Sequence, residues 1–268
     1  MGFAWSMGSG VLRMLAHRTG LFTRGLHSVL AHLRRALGEP FSSPGEVERA
    51  ECSYYISYLQ EGMIVFDVGA YVGELTLLFS HFVREGGQVH AFEANGASFE
   101  RLKTICQAAG HPNIVLNRIA MAEKEGEAEL VLYDEEHRSW SSLAERPLER
   151  YGIHVQSVGR ERVVTTTVDN YCREHDIARI DLLKIDVEGA EYQVLLGARQ
   201  MLQARQVRCC VFEFGQTTFD MGNDPEEIED YLAGYGYRLR NVVRGDPVIS
   251  RCVSRETARY SMYVAVPG

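Results

Sequence analysis

The residues with the most chemical promise are carboxylates at the ends of apolar runs. The first is Asp67, in Asp67-Val68-Gly69-Ala70-Tyr71-Val72-Gly73-Glu74-Leu75-Thr76. This segment follows the apolar run Met63-Ile64-Val65-Phe66 and opens a helical pattern from Leu75 to Val83. That is the context a nucleotide-binding loop requires. Gly69 can take backbone angles closed to other residues, and Gly73 lets the helix approach closely. A dinucleotide loop brings pyrophosphate against this turn and usually carries G-x-G-x-x-G. A carboxylate at the place of the first glycine repels such a phosphate. S-adenosylmethionine has no phosphate and carries an ammonium and a sulfonium, so Asp67 suits its methionine end. Gly69, Ala70, Tyr71, Gly73 and Thr76 complete the candidate cofactor loop.

The second acid is Glu93, in Ala91-Phe92-Glu93-Ala94-Asn95. It stands near the spacing expected of an acid that accepts both ribose hydroxyls, and Ala94 and Asn95 would then border the adenosine. The third cluster is Lys184-Ile185-Asp186-Val187-Glu188-Gly189-Ala190-Glu191, followed by Glu213 in Val211-Phe212-Glu213-Phe214-Gly215. Asp186, Glu188 and Glu213 are the candidate catalytic groups. Three carboxylates at two neighbouring strand ends are costly to assemble without a cation. Asp186 and Glu213 are candidate ligands for Mg2+ or another divalent cation. Alternatively the cluster positions an acceptor hydroxyl and takes its proton. Lys184 reads as structural, and Glu191 as an acid favoured by the dipole of the helix it opens.

These groups need a frame to hold them. Strands are expected at Met63–Phe66, Gln88–Phe92, Asn113–Leu116, Ile180–Ile185 and Val207–Phe214, with helical patterns between them. Continuous apolar strands separated by helices indicate an α/β, doubly wound, Rossmann-like sheet that is mostly parallel and covered on both faces. Tyr237–Val243 and Met262–Val266 read as a closing antiparallel hairpin. Glu127–Tyr133 and Arg162–Thr167 read as extra strands around a polar insert. Within that insert Ser141 and Ser142 are candidates to hydrogen-bond the cofactor or to cap a helix. Trp140 would stack or pack, and His137 and His154 read first as surface histidines. Asp169 reads as a helix start.

The turn-rich segment Gly38–Gly45 marks a boundary. It separates a basic amphipathic N-terminal extension, residues 1–45, from a Rossmann-like domain over residues 46–268. No acid precedes Glu39, whereas Arg13, Arg18, Arg24, Arg34 and Arg35 are basic. Such an extension packs on the domain, touches a membrane surface weakly or serves as an organelle address. The formal net charge of −8 argues against nucleic acid as a partner. No stretch reaches the roughly 18 apolar residues of a membrane span. The six cysteines, Cys52, Cys106, Cys172, Cys209, Cys210 and Cys252, include no zinc-type spacing. They read as free thiols, which favours a cytoplasmic location.

Taken together, Asp67 to Thr76, Ala91-Phe92-Glu93, Lys184 to Glu191 and Leu195-x-Gly197-Ala198 closely resemble the FkbM-type methyltransferases. Thr165-Thr166-Thr167-Val168-Asp169 and Ser139-Trp140-Ser141-Ser142-Leu143 add to the likeness, which spans roughly Val65 to Phe214. Two departures are Tyr71, where the family commonly has Asn, and Ala94-Asn95, where Pro often follows the acid. The resemblance implies methyl transfer from S-adenosylmethionine, commonly to oxygen on a sugar, glycan or polyketide-like small molecule. A nitrogen acceptor and a non-catalytic scaffold that keeps the fold are the alternatives. A nicotinamide-dependent dehydrogenase is disfavoured by Asp67 and by the missing glycine.

Overall fold

The computed structural model describes residues 42–248, 254–255 and 258–268. The basic segment before Ser42 and Cys252 lie outside the described residues. The chain enters through α1 (Pro44–Tyr58), where Glu46 Oε2 accepts both the backbone N–H and the hydroxyl of Ser43. This ties down the exposed donors of the first turn. Then β1 (Ile64–Val68), α2 (Glu74–Val83), β2 (Gln88–Phe92), α3 (Gly96–Ala109) and β3 (Ile114–Asn117) alternate. The pattern resumes with α4 (Val168–Glu174), β7 (Leu182–Ile185), α5 (Glu191–Leu196), α6 (Arg199–Gln203) and β8 (Cys210–Phe214). The chain closes with α7 (Gln216–Asp220), α8 (Pro225–Gly234), β9 (Tyr237–Asn241) and β10 (Ser261–Pro267).

The main sheet has the order β3-β2-β1-β7-β8-β10-β9. The first five strands are parallel, and β10 runs antiparallel between β8 and β9. This is the expected doubly wound sheet with its antiparallel end, although β10 slots between β8 and β9 instead of extending a simple hairpin outward. The strand order reverses between β1 and β7, where open α/β sheets leave a crevice at their carboxyl edge.

Between β3 and α4 the chain builds a smaller sheet, β4-β6-β5, from β4 (Ala120–Met121), β5 (Gly126–Leu132) and β6 (Gly159–Thr166). The two longer strands match the expected extra pair. The short β4 was not foreseen, being only two residues long. The polar insert between β5 and β6 carries two single turns of 3-10 helix, Arg138–Trp140 and Leu148–Tyr151.

Alternation along the strands decides which way the chemistry faces, since successive side chains point to opposite faces. Val65, Val89, Leu182 and Val211 lie on the face covered by α1 and α2. Phe66, Phe92, Leu183, Ile185 and Phe212 lie on the opposite face, under α4, α5 and α8. Asp67, Lys184 and Glu213 each stand two residues beyond a residue of the first set, and Glu93, just past the end of β2, four residues beyond Val89. They therefore share the α1 face. Register levels the strand ends: Val68 pairs with Phe92 and Ile185, and Ile185 with Phe212. Glu93, Asp186 and Glu213 consequently emerge along one edge.

Candidate active site

The loop after β1 turns tightly because two glycines adopt left-handed angles, Gly69 at φ 79° and Gly73 at φ 93°. At Gly69 a Cβ would lie 1.8 Å from the carbonyl oxygen of Asp186, so a side chain here would force β1 and β7 apart. Tyr71 also has positive φ, 49°, the region in which Asn is enriched among residues with side chains. This gives a backbone reason for the Asn that the resembled family commonly carries there.

Glu93 fastens this loop to the end of β2. Its Oε2 accepts from the Tyr71 backbone N–H at 2.8 Å and its Oε1 from that of Asn95 at 2.7 Å. Burial pushes its pKa up to about 7, against the pull of those two hydrogen bonds. Each carboxylate oxygen keeps a further lone pair.

Asp67 is fully buried beneath the loop. Its Oδ2 accepts from Thr76 Oγ1 at 2.6 Å. Its Oδ1 lies 3.3 Å from Lys184 Nζ and accepts no hydrogen bond among the described residues. Lys184 Nζ donates to the Gly69 carbonyl at 2.9 Å and stands 3.5 Å from Asp186 Oδ2. Burial disfavours the lysine charge, but Asp186, Asp67 and Glu51 more than offset it and raise its pKa. Lys184 thus bolts the glycine loop after β1 to the second acidic cluster. Glu51, on the buried face of α1, accepts from Tyr55 Oη at 2.7 Å and is pushed by burial to about 7.

The second cluster is held from below by Glu191, whose Oε1 accepts from the backbone N–H groups of Val187 and Gly189. Glu188, at φ 55°, accepts from Arg146 Nη1 at 2.9 Å. Burial drives Glu188 up to about 8, with Arg146 opposing and Asp186 adding to the rise. Glu213 is raised well above the carboxylate range by burial, then by Glu188, Asp186 and Glu191. Burial, then the field of Glu51, Asp186, Glu213 and Glu48, raises the Tyr260 phenol as well.

The insert folds over this edge and is pinned by polar contacts. Ser142 Oγ donates to the Glu188 carbonyl at 2.9 Å, and Tyr151 Oη donates to Asp220 Oδ1 at 2.5 Å. Arg146 bridges Glu188 and Asp220, the latter at 3.8 Å. A cavity of about 920 Å³ remains between insert and strand edge. Gly69, Tyr71, Glu93, Ala94, Ser141, Asp186, Glu188 and Glu213 line it.

Six predicted residues stand behind that wall. Asp67, Ala70, Gly73, Thr76, Asn95 and Ser142 are not among its lining residues. Asp67 and Thr76 engage each other. Asn95 caps α3 by accepting from Ala97 and Ser98, and its Nδ2 donates to Ser141 Oγ at 3.2 Å. Strand alternation buries Asp67 under α1, against Lys184, so the acid expected at the methionine end of the cofactor stands behind the cavity wall. His137 pairs with Asp134 at the surface and His154 is exposed, and neither lines the cavity. Asp169 accepts from the backbone N–H groups of Gln200 and Met201, and so caps α6 in addition to opening α4.

Glu51, Arg146, Asp220 and Tyr260 escaped the sequence reading. Only Glu51 left a trace, as an acid on the Val47, Glu51, Tyr55 stripe of α1. The donor set does not suit a divalent cation. Among the described residues no three His, Cys, Asp or Glu groups converge as a metal site. Glu188 is engaged by Arg146 and Asp186 by Lys184.

The family model described as the methyltransferase FkbM domain matches residues 67–239. The 31-O-demethyl-FK506 methyltransferase FkbM of Streptomyces tacrolimicus is 28% identical over 228 residues, covering 75% of this chain and 83% of that protein. The hexuronic acid methyltransferase AglP of Haloferax volcanii is 25% identical over 175 residues, covering 65% of this chain and 63% of that protein. Among solved structures, methyltransferase FkbM from Methylobacillus flagellatus aligns with a TM-score of 0.45 at 12% identity, over 80% of this chain and half of that one, 50%. The matched span begins at Asp67 and carries the loop, Glu93, the insert, the second acidic cluster and Glu213. On that match this chain belongs to the FkbM methyltransferase domain family.

Proposed function

We propose that this methyltransferase uses S-adenosylmethionine to methylate a hydroxyl oxygen of a sugar, glycan or polyketide-like small molecule. The observation that carries the reading is the single cavity that exposes Glu93 at one part of its wall and Asp186, Glu188 and Glu213 at another. The named relatives act on 31-O-demethyl-FK506 and on hexuronic acid, which supports an oxygen acceptor on a small molecule.

The residues present suit the cofactor. Glu93 is held by two backbone donors yet keeps lone pairs toward the cavity, as acceptance from a vicinal diol requires. Apolar Ile119, Ala120, Leu130 and Leu143 offer a surface for an adenine ring. Carboxylates raised chiefly by burial, with neighbouring acids adding to the rise at Glu188 and Glu213, suit a ligand that brings positive charge. When bound, S-adenosylmethionine supplies an activated methyl group on its sulfonium. The protein's task is to align the acceptor and take up a proton. In this reading Asp186 accepts the proton of the acceptor hydroxyl at a carboxylate oxygen. Burial favours the protonated form of Glu213, and in that form it can donate toward Asp186 or the acceptor and fix their orientation. Lys184 offsets the charge on Asp186, and Arg146 occupies Glu188.

Transfer of a radiolabelled methyl group to a pool of hydroxylated acceptors tests the assignment. Asp186→Asn is expected to lower kcat by about 10²- to 10⁴-fold, the usual share of a positioned base. Wild-type turnover in Asp186→Asn would remove Asp186 from the chemistry.

A further inference from the structure

The cavity has two unlike ends. Beyond Glu93 its wall is apolar, with Ile119, Ala120, Met121, Leu130 and Leu143. On the far side of Glu213 it continues between the first turns of α1 and the segment before β10. There it is lined by Ser43, Glu48, Gln216, Arg259 and Tyr260. Two contacts close this end. Ser42 N–H donates to Asp246 Oδ2 at 2.7 Å, joining the start of α1 to the loop after β9. The register of β10 on β8, Ser261 opposite Phe214, brings Tyr260 beside Gly215, with its Cα 3.6 Å from a Cβ built there.

We propose that this end is the acceptor subsite and that it takes a polyhydroxylated sugar, held through its hydroxyls by Glu48, Gln216 and Arg259. The proposal rests on the methyltransferase reading above and assigns the acceptor's class within it. Glu48 brings a carboxylate that can accept from two neighbouring hydroxyls, and Arg259 brings a fan of donors. Among the described residues neither side chain stands within 4 Å of an oppositely charged partner, the nearby Arg49 acting on Glu48 only through its field. Gln216 spends only its amide N–H₂, on the Arg255 carbonyl at 3.5 Å, and keeps its oxygen. An apolar acceptor here would strip water from a carboxylate and a guanidinium and return no hydrogen bonds, a costly exchange. A sugar returns them. The same asymmetry lets a polar site reject an analogue that lacks hydroxyls far better than an apolar site rejects one that has them. The apolar end offers no such selection and matches a flat purine. Placing adenine there and the sugar beyond Glu213 puts the acceptor hydroxyl next to Asp186 and Glu213.

Saturation-transfer NMR on the full chain loaded with S-adenosylhomocysteine tests this, using a mixture of methyl hexosides, methyl hexuronides and cyclohexanol. Saturation is expected on sugar protons and not on cyclohexanol. Glu48→Gln and Arg259→Ala, both exposed side chains that the fold does not depend on, should each reduce it at least about fivefold. Calorimetry on the same samples should find S-adenosylhomocysteine affinity within about twofold of wild type. No saturation of any sugar, or equal saturation in both variants, overturns the subsite while leaving the cofactor reading intact. Saturation of cyclohexanol alone overturns the sugar class. Failure of wild type to bind S-adenosylhomocysteine removes the methyltransferase reading and the subsite together.

Discussion

At the scale of single residues, the acids that matter were legible because each interrupts an apolar run where a strand must end. Asp67, Glu93, Asp186 and Glu213 stand out by that rule alone. Their separate fates did not stand out, because they depend on what crosses above them. Asp67 and Glu93 differ by whether α1 or open cavity covers the strand end, and nothing in the residues flanking either acid says which. Arg146 and Asp220 were silent for the same reason: an arginine in a polar insert gains meaning only when folding brings it to Glu188. Tyr71 shows the reverse, a residue whose type conflicts with its backbone. A residue with a bulky side chain at φ 49° pays on the order of 1 kcal/mol relative to a right-handed angle, and Asn tolerates the region better. Tyr71→Asn is therefore expected to raise unfolding free energy by roughly 0.5–1 kcal/mol in a urea titration. A loss of stability would mean that Tyr71 packing outweighs its backbone strain.

At the scale of elements, the strands of the parallel sheet were readable as short apolar runs, β2 at both ends and the others with edges shifted by at most three residues. The first part of the run at Val207 joins the sheet only through an isolated bridge to Ile180, so β8 starts at Cys210. β4 was not readable, because two residues carry no periodicity. Neither was the position of β10, since nothing local tells a returning strand to enter between two others. The turn after β1 is the joint on which the site depends. Gly69 is pressed against the Asp186 carbonyl, backbone to backbone, so no rotamer change can relieve a new methyl. Gly69→Ala should destabilise the fold by more than about 2 kcal/mol, from strain at positive φ together with the clash. Chemical denaturation measures it, and a near-neutral result would mean that β1 and β7 part more easily than their pairing suggests.

At the scale of the whole molecule, the sheet gathers acids that repel one another and holds them with few cations. Lys184 stands beneath Asp67 and Asp186, and Arg146 stands beside Glu188. Glu93 is raised to about 7, Glu188 to about 8, and Glu213 well above the usual range, burial being the largest cause in each. The fold thus keeps a cavity whose carboxylates are ready to lose protons when a cationic ligand enters. Ligand affinity is then linked to pH: as pH rises through about 7, Glu93 sheds its proton and becomes a full acceptor for a diol.

Titration calorimetry with S-adenosylmethionine, at pH 6 and pH 8, tests the central claim most directly. The account predicts a dissociation constant on the order of micromolar at pH 8, weaker binding at pH 6, and a loss of about tenfold or more in Glu93→Gln, the ~1.4 kcal/mol of a charge-assisted hydrogen bond. NAD should give no binding heat. Folded protein that ignores S-adenosylmethionine, that binds it equally well in Glu93→Gln, or that binds NAD instead would contradict the account.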